Sequence, residues 1–423
     1  MNMLLLENLY FNDTLSDILI GDDKILKIVV AGEMIDTLGH EKCEIVDCKG
    51  MTAMPGFINM HTHAAMSLMR GVEEDVPLSE WLDKIWEIES RIDADFVYWG
   101  TKVACLEMIR TGTTCFNDQY WFSPIARRAA TEMGLRPACA YVILDHMNKD
   151  EAERQKAQCL RTYEELCNAD DGGIFTIAFH AIYSVSEEMM LWASDLARKH
   201  SLKLHIHLSE TEKEVNDCKA QHGGLSPVEY LDRLGILGPE LIAAHSLWLS
   251  DKDIELLGKY RVNCVHNINS NTKLSSGWQF RYNELRDAGA NVCIGTDGCA
   301  SSNNLDMLEA MKTSALFQKA WRNDPKALPL EELIGLSTVN GAKALGINSG
   351  KLEEGADADI CIVNTDNTFF LSPGDFLSNF VYSAHSDCID SLISRGRFVM
   401  RGRKVEGESE IISNARAQIE RLL

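Results

Sequence analysis

Histidine and acidic residues occur in this 423-residue sequence at spacings that suit metal binding. A His-x-His pair is formed by His61 and His63, and single polar residues end later apolar runs at His207, His245 and Asp297. Side chains alternate along a strand, so the imidazoles of His61 and His63 would point the same way and could bind one ion. Imidazole and carboxylate ligands without thiolate favour zinc, with iron(II) and nickel(II) as the alternatives.

One divalent ion needs more ligands than the pair supplies. We expect His207 and Asp297 to complete a shell of three histidines and one carboxylate that leaves one position for water. His205, two residues before His207, is the rival ligand. Asp297 stands in "CIGTDGCASSNN", where an Asx turn is the alternative, but its position after the eighth apolar run favours a ligand.

Three further polar residues could act beside such an ion. Glu210 follows in "HIHLSET" and could transfer protons, although a solvated glutamate at a helix start is the alternative. His245 ends the run "LIAA", where a buried structural histidine is the alternative, and His180 ends "GIFTIAFH". We interpret five further histidines as structural or solvated: His146, His200, His222, His266 and His385.

Eight apolar runs must position these residues. They lie at 53–59, 113–116, 136–144, 174–179, 202–206, 241–244, 262–265 and 291–295, and helical patterns lie between most of them, such as 94–110, 151–167, 187–199 and 305–321. The alternation predicts an α/β fold, a (β/α)8 TIM-type barrel, whose strands carry catalytic groups at their carboxyl ends. An open doubly wound sheet is the rival, but no glycine fingerprint follows any strand. Helix caps are predicted from Ser184 with Glu187 and from Ser250 with Asp253.

Both ends of the chain show short β-strand patterns. Asp17 to Ile20, Ile25 to Val30 and Cys43 to Asp47 lie near one end, and Asp359 to Val363 and Ile389 to Met400 near the other. We therefore predict a small β-sandwich domain formed by both chain ends, residues 1–53 and 355–423. The barrel would occupy residues 54–354.

Composition limits the partners and the compartment. The formal net charge of −22 opposes binding to phosphate backbones, so we expect no nucleic-acid partner. No apolar run reaches the ~18 residues of a membrane span, and no basic region precedes the first leucines as in a signal peptide. Thirteen cysteines without a CxxC pair indicate reduced thiols, and thus a cytoplasmic protein. A homo-oligomer remains compatible with the sequence.

An ordered series of motifs resembles a known family. The motifs are "PGFINMHTHAAMSLMRG", "EWLDKIWEIES", "TGTTCFND", "HAIYSVS", "HIHLSET", "AAHSLWL", "SNTKLSSG", "GTDGCASSNNLDM" and "NGAKALG". They resemble the amidohydrolase superfamily, and within it the S-adenosylhomocysteine/5′-methylthioadenosine deaminase group. The resemblance implies metal ligands at His61, His63, His207 and Asp297, and catalytic roles for Glu210, His245 and Asp297. It also implies substrate contacts at Trp81, Glu89, His180 and Glu210.

The implied activity is hydrolytic deamination of an adenosine-type nucleoside. Deamination of guanine, a pterin or a triazine is the alternative within the superfamily, and a metal-free barrel scaffold is the alternative outside enzymes. Superfamily members with two metals usually carry a modified lysine after strand four. That strand here ends in His180 without a lysine, which favours one metal.

The sequence differs from the group at the residues that would contact the 5′ substituent of the nucleoside. Members that act on S-adenosylhomocysteine share an arginine on the third strand, and its guanidinium suits the amino-acid carboxylate of that substrate. Tyr141 or Val142 holds that position here, and Arg136 lies at the beginning of the strand. Arg154 lies in the segment after this strand, where it could reach the substrate carboxylate or be a solvated charge on a helix. The sequence predicts a preference for neutral 5′ substituents.

Overall fold

The structure, a computed structural model, describes residues 3–33 and 43–422. Eight parallel strands in this part of the chain form the predicted barrel, each hydrogen-bonded to the next in chain order. They are numbered after the five strands that precede them: β6 (Phe57–Thr62), β7 (Thr113–Asp118), β8 (Arg136–Ile143), β9 (Ile174–Phe179), β10 (Lys203–Leu208), β11 (Leu241–His245), β12 (Asn263–His266) and β13 (Asn291–Ile294).

The barrel closes between its first and last strands through contacts just beyond β13. Asp297 donates its backbone N–H to the carbonyl of His61 at 2.9 Å. The side chain of Asn59 donates to Thr296 Oγ1 at 2.7 Å and accepts from the Thr296 backbone at 3.0 Å. These bonds bring the ends of β6 and β13 together, and with them the two candidate ligand segments.

Helices surround the barrel. They are α1 (Leu78–Glu89), α2 (Ala94–Arg110), α3 (Ser123–Glu132), α4 (Lys149–Cys167), α5 (Glu187–His200), α6 (Glu212–Gln221), α7 (Pro227–Arg233), α8 (Asp251–Lys259), α9 (Ile268–Lys273), α10 (Tyr282–Ala288), α11 (Cys299–Ser302), α12 (Met307–Arg322), α13 (Leu330–Leu336), α14 (Val339–Leu345), α15 (Phe376–Ser378) and α16 (Glu408–Leu422). The four helical patterns named from the sequence correspond to α2, α4, α5 and α12. Among the described helices, none combines the length and apolar character needed to cross a membrane.

Of the two predicted helix caps, one is confirmed and one is wrong. Ser250 caps α8 and forms the full capping box with Asp253. Helix α5 instead takes Ser186 as its N-cap, and the Ser186 hydroxyl accepts from the Met189 backbone at 3.3 Å. Ser184 is unavailable as a cap because its hydroxyl contacts the ring of His180 at 2.9 Å and donates to the Ala181 carbonyl.

The two chain ends come together in one β-rich unit, as predicted, and their strands form one mixed sheet rather than two packed sheets. The strands of this sheet are β1 (Met3–Phe11), β2 (Thr14–Gly21), β3 (Lys24–Val30), β4 (Cys43–Asp47), β5 (Met51–Pro55), β14 (Ile360–Asn364), β15 (Ile389–Ser394) and β16 (Arg397–Met400). The order is β16-β15-β14-β5-β1-β2-β3, and β4 pairs with β1. Buried side chains from both ends, including Leu6, Ile18, Ile360 and Ile393, pack in one core. The domain boundaries at 53/54 and 354/355 remain a prediction.

Candidate metal centre and active site

Four predicted ligands meet at the carboxyl ends of the barrel strands. His61 Nε2 and His63 Nε2 lie 3.4 and 3.3 Å from Asp297 Oδ1, and His63 Nε2 lies 3.2 Å from His207 Nε2. His245 also lies here: one potential ligand atom from each of His61, His207 and His245 falls within 4.8 Å of the others. Residues more than two hundred positions apart in the chain thus form one cluster that could hold a divalent ion.

Local backbone structure fixes these side chains. β6 ends at Thr62, and the next turn is held by Asp118 at the end of β7, whose Oδ1 accepts from Ala64 N at 2.7 Å and Thr62 Oγ1 at 2.9 Å. His245 and Asp297 have positive φ angles of 69° and 64°, which are uncommon outside glycine. Such conformations cluster at functional sites, where the surrounding structure enforces them.

Two of the histidines have their proton positions fixed by the backbone. His63 Nδ1 lies 2.6 Å from the carbonyl oxygen of Gln119, and His207 Nδ1 lies 2.9 Å from that of His180. A carbonyl oxygen can only accept, so both Nδ1 atoms carry hydrogen and donate. In its neutral form each ring directs the lone pair of Nε2 into the cluster, which is the arrangement found in metal-binding histidines.

His205, the rival ligand, lies behind His61 with its ring nearly perpendicular to that of His61. His205 Nε2 lies 2.9 Å from His61 Nδ1, and Asn117 Nδ2 lies 3.1 Å from His205 Nδ1. His205 therefore supports His61 from behind and does not face the cluster. His61 Nε2 is buried and has no hydrogen-bond partner among the described residues. A buried polar atom without a partner is costly, and a bound cation would satisfy it.

Burial and ion pairing set the charge of each group in the cluster, and for His63 the contacts with Asp297 outweigh burial and raise the pKa to about 9. Burial lowers the pKa of His61 and of His245 to about 4, so both rings are neutral near pH 7. Burial opposes ionisation of Asp297, but contacts with His61 and His63 outweigh it and hold its pKa well below the usual value. Ser270 Oγ donates to Asp297 Oδ2 at 2.6 Å and fixes the carboxylate further.

Glu210 lies beside the cluster as a buried acid. Its Oε2 is 3.7 Å from His245 Nε2, and only 12% of its side chain is exposed. Burial and then the charge of Asp297 raise the pKa of Glu210 to about 8. Glu214 holds the backbone in place by accepting from Ser209 N at 2.9 Å and Glu210 N at 2.8 Å. A solvated helix-start glutamate does not describe this environment.

A cavity opens above the cluster. The predicted substrate residues Trp81, Glu89, His180 and Glu210 line it together with His63, His207, His245 and Asp297. Trp81 donates its indole N–H to the Ala300 carbonyl at 3.3 Å, which fixes the ring as a wall. Burial raises the pKa of Glu89, which ends α1 beside Tyr120 and Trp121.

The arginines discussed from the sequence lie outside this cavity. Arg154 lines a second, adjoining cavity that shares Glu89 and Val142 with the first and also contains Tyr141. Its guanidinium donates to Glu151 at 2.8 and 2.5 Å, and 63% of the side chain is exposed. Arg136 lies at the start of β8, where it pairs with Asp357 of the small sheet at 2.7 Å.

Sequence reasoning missed three contributors to the site. Asp118 fixes the turn after the His-x-His pair, the Gln119 carbonyl orients His63, and Asn271 contacts the ring of His245 at 3.0 Å. Asp118 and Asn271 lie within the quoted motifs "TGTTCFND" and "SNTKLSSG", which was the available signal. Their partners come from other strands, so spacing alone could not identify them.

Comparison with known proteins agrees with this geometry. A sequence profile of the amidohydrolase family matches residues 52–399. A 5′-deoxyadenosine deaminase of Methanoregula boonei is 45% identical over 90% of this chain and 86% of its own length. A 5-methylthioadenosine/S-adenosylhomocysteine deaminase of Archaeoglobus fulgidus is 41% identical over 96% and 99%. A crystal structure of an adenosine deaminase from Xanthomonas campestris with bound zinc superposes with a TM-score of 0.91 at 30% identity, covering 99% and 98%.

Proposed function

The chain belongs to the amidohydrolase family, and on that premise we propose that it is a metal-dependent deaminase of adenosine-type nucleosides. It releases ammonia and forms the corresponding inosine analogue. The observation that carries the proposal is the buried acid Glu210 beside a cluster of three histidines and Asp297 in one cavity. A scaffold without catalytic function would have no use for this arrangement.

We assign the ion to His61, His63, His207 and Asp297. The unpartnered Nε2 of His61 and the lone pairs that His63 and His207 direct inward support this set. Zinc suits the nitrogen and oxygen donors and is present in the related adenosine deaminase, with iron(II) or nickel(II) as alternatives. When bound, such an ion acts as a Lewis acid and lowers the pKa of a water molecule to near neutrality.

The side chains around the ion carry the proton transfers. Asp297 accepts the proton of the attacking water. Glu210, protonated near pH 7, donates to the ring nitrogen beside the amino-bearing carbon and makes that carbon electrophilic. His245 stabilises the oxygen that develops negative charge at the tetrahedral carbon. The proton held by Asp297 then passes to the amino group, which leaves as ammonia, and the hydroxyl proton of the tetrahedral carbon returns to Glu210 as the carbonyl forms.

The cavity walls orient the nucleoside. Trp81 packs against the purine, and Glu89 accepts hydrogen bonds from the ribose hydroxyls. His180 also lines the cavity and contacts the substrate, with its Nδ1 held by Ser184 at 2.9 Å. The carboxylate of Glu89 favours a nucleoside over a free base such as guanine or a pterin, which has no hydroxyls to donate to it.

An ultraviolet assay of purified protein tests the proposal. The substrates are 5′-deoxyadenosine, 5′-methylthioadenosine, adenosine, S-adenosylhomocysteine, guanine and a pterin. We expect the adenine spectrum to convert to the hypoxanthine spectrum with the nucleosides and no turnover of guanine or the pterin. Turnover confined to guanine or the pterin would contradict the proposed substrate class.

A further inference from the structure

Asn271 occupies a buried position behind His245. Its Nδ2 lies 3.0 Å from His245 Nδ1 and 3.0 Å from Ser276 Oγ, and the Asn271 side chain is fully buried. In this orientation both amide hydrogens are used, and the amide oxygen is left without a partner among the described residues. The reversed amide would instead leave two donor hydrogens buried without acceptors. The orientation found therefore leaves fewer buried groups unsatisfied.

The partner of Nδ1 separates His245 from His63 and His207. His63 and His207 donate from Nδ1 to backbone carbonyls, which leaves Nε2 with a lone pair. His245 receives an N–H from Asn271, so its Nδ1 must accept and the hydrogen of the neutral ring must sit on Nε2. A ring in that form cannot coordinate a metal through Nε2, but it can donate a hydrogen bond.

We propose that Asn271 is a positioning residue that holds His245 as the Nε2–H tautomer and thereby makes it a hydrogen-bond donor. His245 lines the active-site cavity, and its Nε2 lies 3.7 Å from Glu210 Oε2. The Nε2 hydrogen is thus available to the oxygen that develops charge during attack. The inference rests on the proposed function and extends it to a residue that does not contact substrate.

Asn271→Asp tests this assignment with little change in shape. A carboxylate only accepts hydrogen bonds, so it would draw the hydrogen of His245 to Nδ1 and remove the donor from the cavity side. The loss of one such donor lowers kcat by roughly 10²–10³-fold in comparable sites. We expect a similar loss of affinity for coformycin, a nucleoside with a tetrahedral hydroxyl-bearing carbon. The affinity for the product inosine should fall by less than about threefold.

A matched control and a double-mutant cycle exclude a general structural effect. Asn267→Asp is the control, because Asn267 Oδ1 accepts from the His245 backbone at 3.2 Å and a carboxylate keeps that bond. Its ratio of coformycin to inosine affinity should match the wild type. In a His245→Asn background, Asn271→Asp should have no further effect on that ratio, since the residue acts through His245. Metal content and melting temperature are recorded for each variant.

Equal losses of coformycin and inosine affinity in Asn271→Asp would overturn the inference. A selective loss that persists in the His245→Asn background would also overturn it. If the aspartate variant does not fold, Asn271→Ala removes the donated N–H and is judged by the same affinity ratio. A wild-type protein that neither deaminates 5′-deoxyadenosine nor binds coformycin would instead contradict the proposed function itself.

Discussion

Glu210 is a buried acid in the structure, whereas its position in the sequence is also compatible with a solvated glutamate at a helix start. Its pKa of about 8 keeps it protonated through neutral pH, so it acts as an acid there and loses the proton above about pH 8. We predict that kcat/KM for 5′-deoxyadenosine falls as pH rises through about 8. Glu210→Gln should keep the metal, lose roughly 10²–10⁴-fold in kcat, and no longer show this alkaline decrease.

A pH–rate profile of wild type and Glu210→Gln, with metal analysis of both, checks this prediction. Nearly normal turnover in Glu210→Gln would mean that another group supplies the proton. An alkaline decrease that remains unchanged in the variant would assign the titration to a different residue.

Glu89 allows a separate test of nucleoside recognition. Glu89→Ala removes the carboxylate proposed to accept from two ribose hydroxyls, and charge-assisted bonds contribute more than neutral ones. We expect kcat/KM for adenosine to fall about 10- to 100-fold, while the residual activity on free adenine stays unchanged. Steady-state kinetics on both compounds measure this, and equal losses on both would remove Glu89 from ribose binding.

Much of the site was predictable because residues with metal-binding side chains directly follow the apolar runs of the strands, whose carboxyl ends meet at one face of the barrel. His61, His63, His207 and Asp297 were identified from motif and position, and the structure brings them together. The choice between His205 and His207 was not settled by spacing, because both lie on the same strand face. The structure shows the reason for the difference: His205 is directed behind His61, whereas His207 reaches the strand end.

At the scale of elements, strands were easier to predict than the details of loops. Each barrel strand appears as a continuous apolar run because both of its faces are buried. Helix α16 was not predicted, and it packs on α2 through contacts such as Arg421 with Asp93. The predicted Ser184 cap is wrong because the Ser184 hydroxyl forms a hydrogen bond with the ring of His180 instead. Short-range patterns cannot anticipate such competition.

Residues of helix α4 and strand β8 determine which 5′ substituent of the nucleoside we expect the protein to prefer. Arg154 of α4 is engaged by Glu151 and largely exposed, and Tyr141 or Val142 takes the strand position where the family resemblance implies an arginine. A carboxylate tail would have to displace Glu151 from Arg154. We predict that 5′-deoxyadenosine and 5′-methylthioadenosine have at least about tenfold higher kcat/KM than S-adenosylhomocysteine.

Competition between these substrates in one preparation measures the preference directly. Arg154→Ala should leave the kcat/KM for 5′-deoxyadenosine unchanged. A preference for S-adenosylhomocysteine that is lost in Arg154→Ala would show that this arginine binds the carboxylate after all.

At the scale of the molecule, Arg136 links the barrel to the sheet formed by both chain ends. Its side chain is 9% exposed and pairs with Asp357 at 2.7 Å and Asp359 at 3.7 Å. Arg136→Met would leave the buried Asp359 carboxylate without its cation, which costs about 3–5 kcal/mol in comparable sites. We expect a lower melting temperature with an unchanged KM, because Arg136 lies at the opposite end of β8 from the cavity.

Thermal unfolding and kinetics of Arg136→Met separate these effects. A selective rise in KM for S-adenosylhomocysteine without loss of stability would place Arg136 at the substrate and contradict the structural role. Leu392→Met, a buried volume-conserving change in the same sheet, provides the control for general effects of altering this domain.

In the proposed mechanism, one divalent ion held by His61, His63, His207 and Asp297 makes this barrel a nucleoside deaminase. The most direct measurement titrates chelator-treated protein with zinc while recording turnover of 5′-deoxyadenosine. We predict no activity without metal, a linear recovery that saturates at one ion per chain, and no recovery in His61→Ala or Asp297→Ala. Full activity in metal-free protein, or recovery in either variant, would contradict the account.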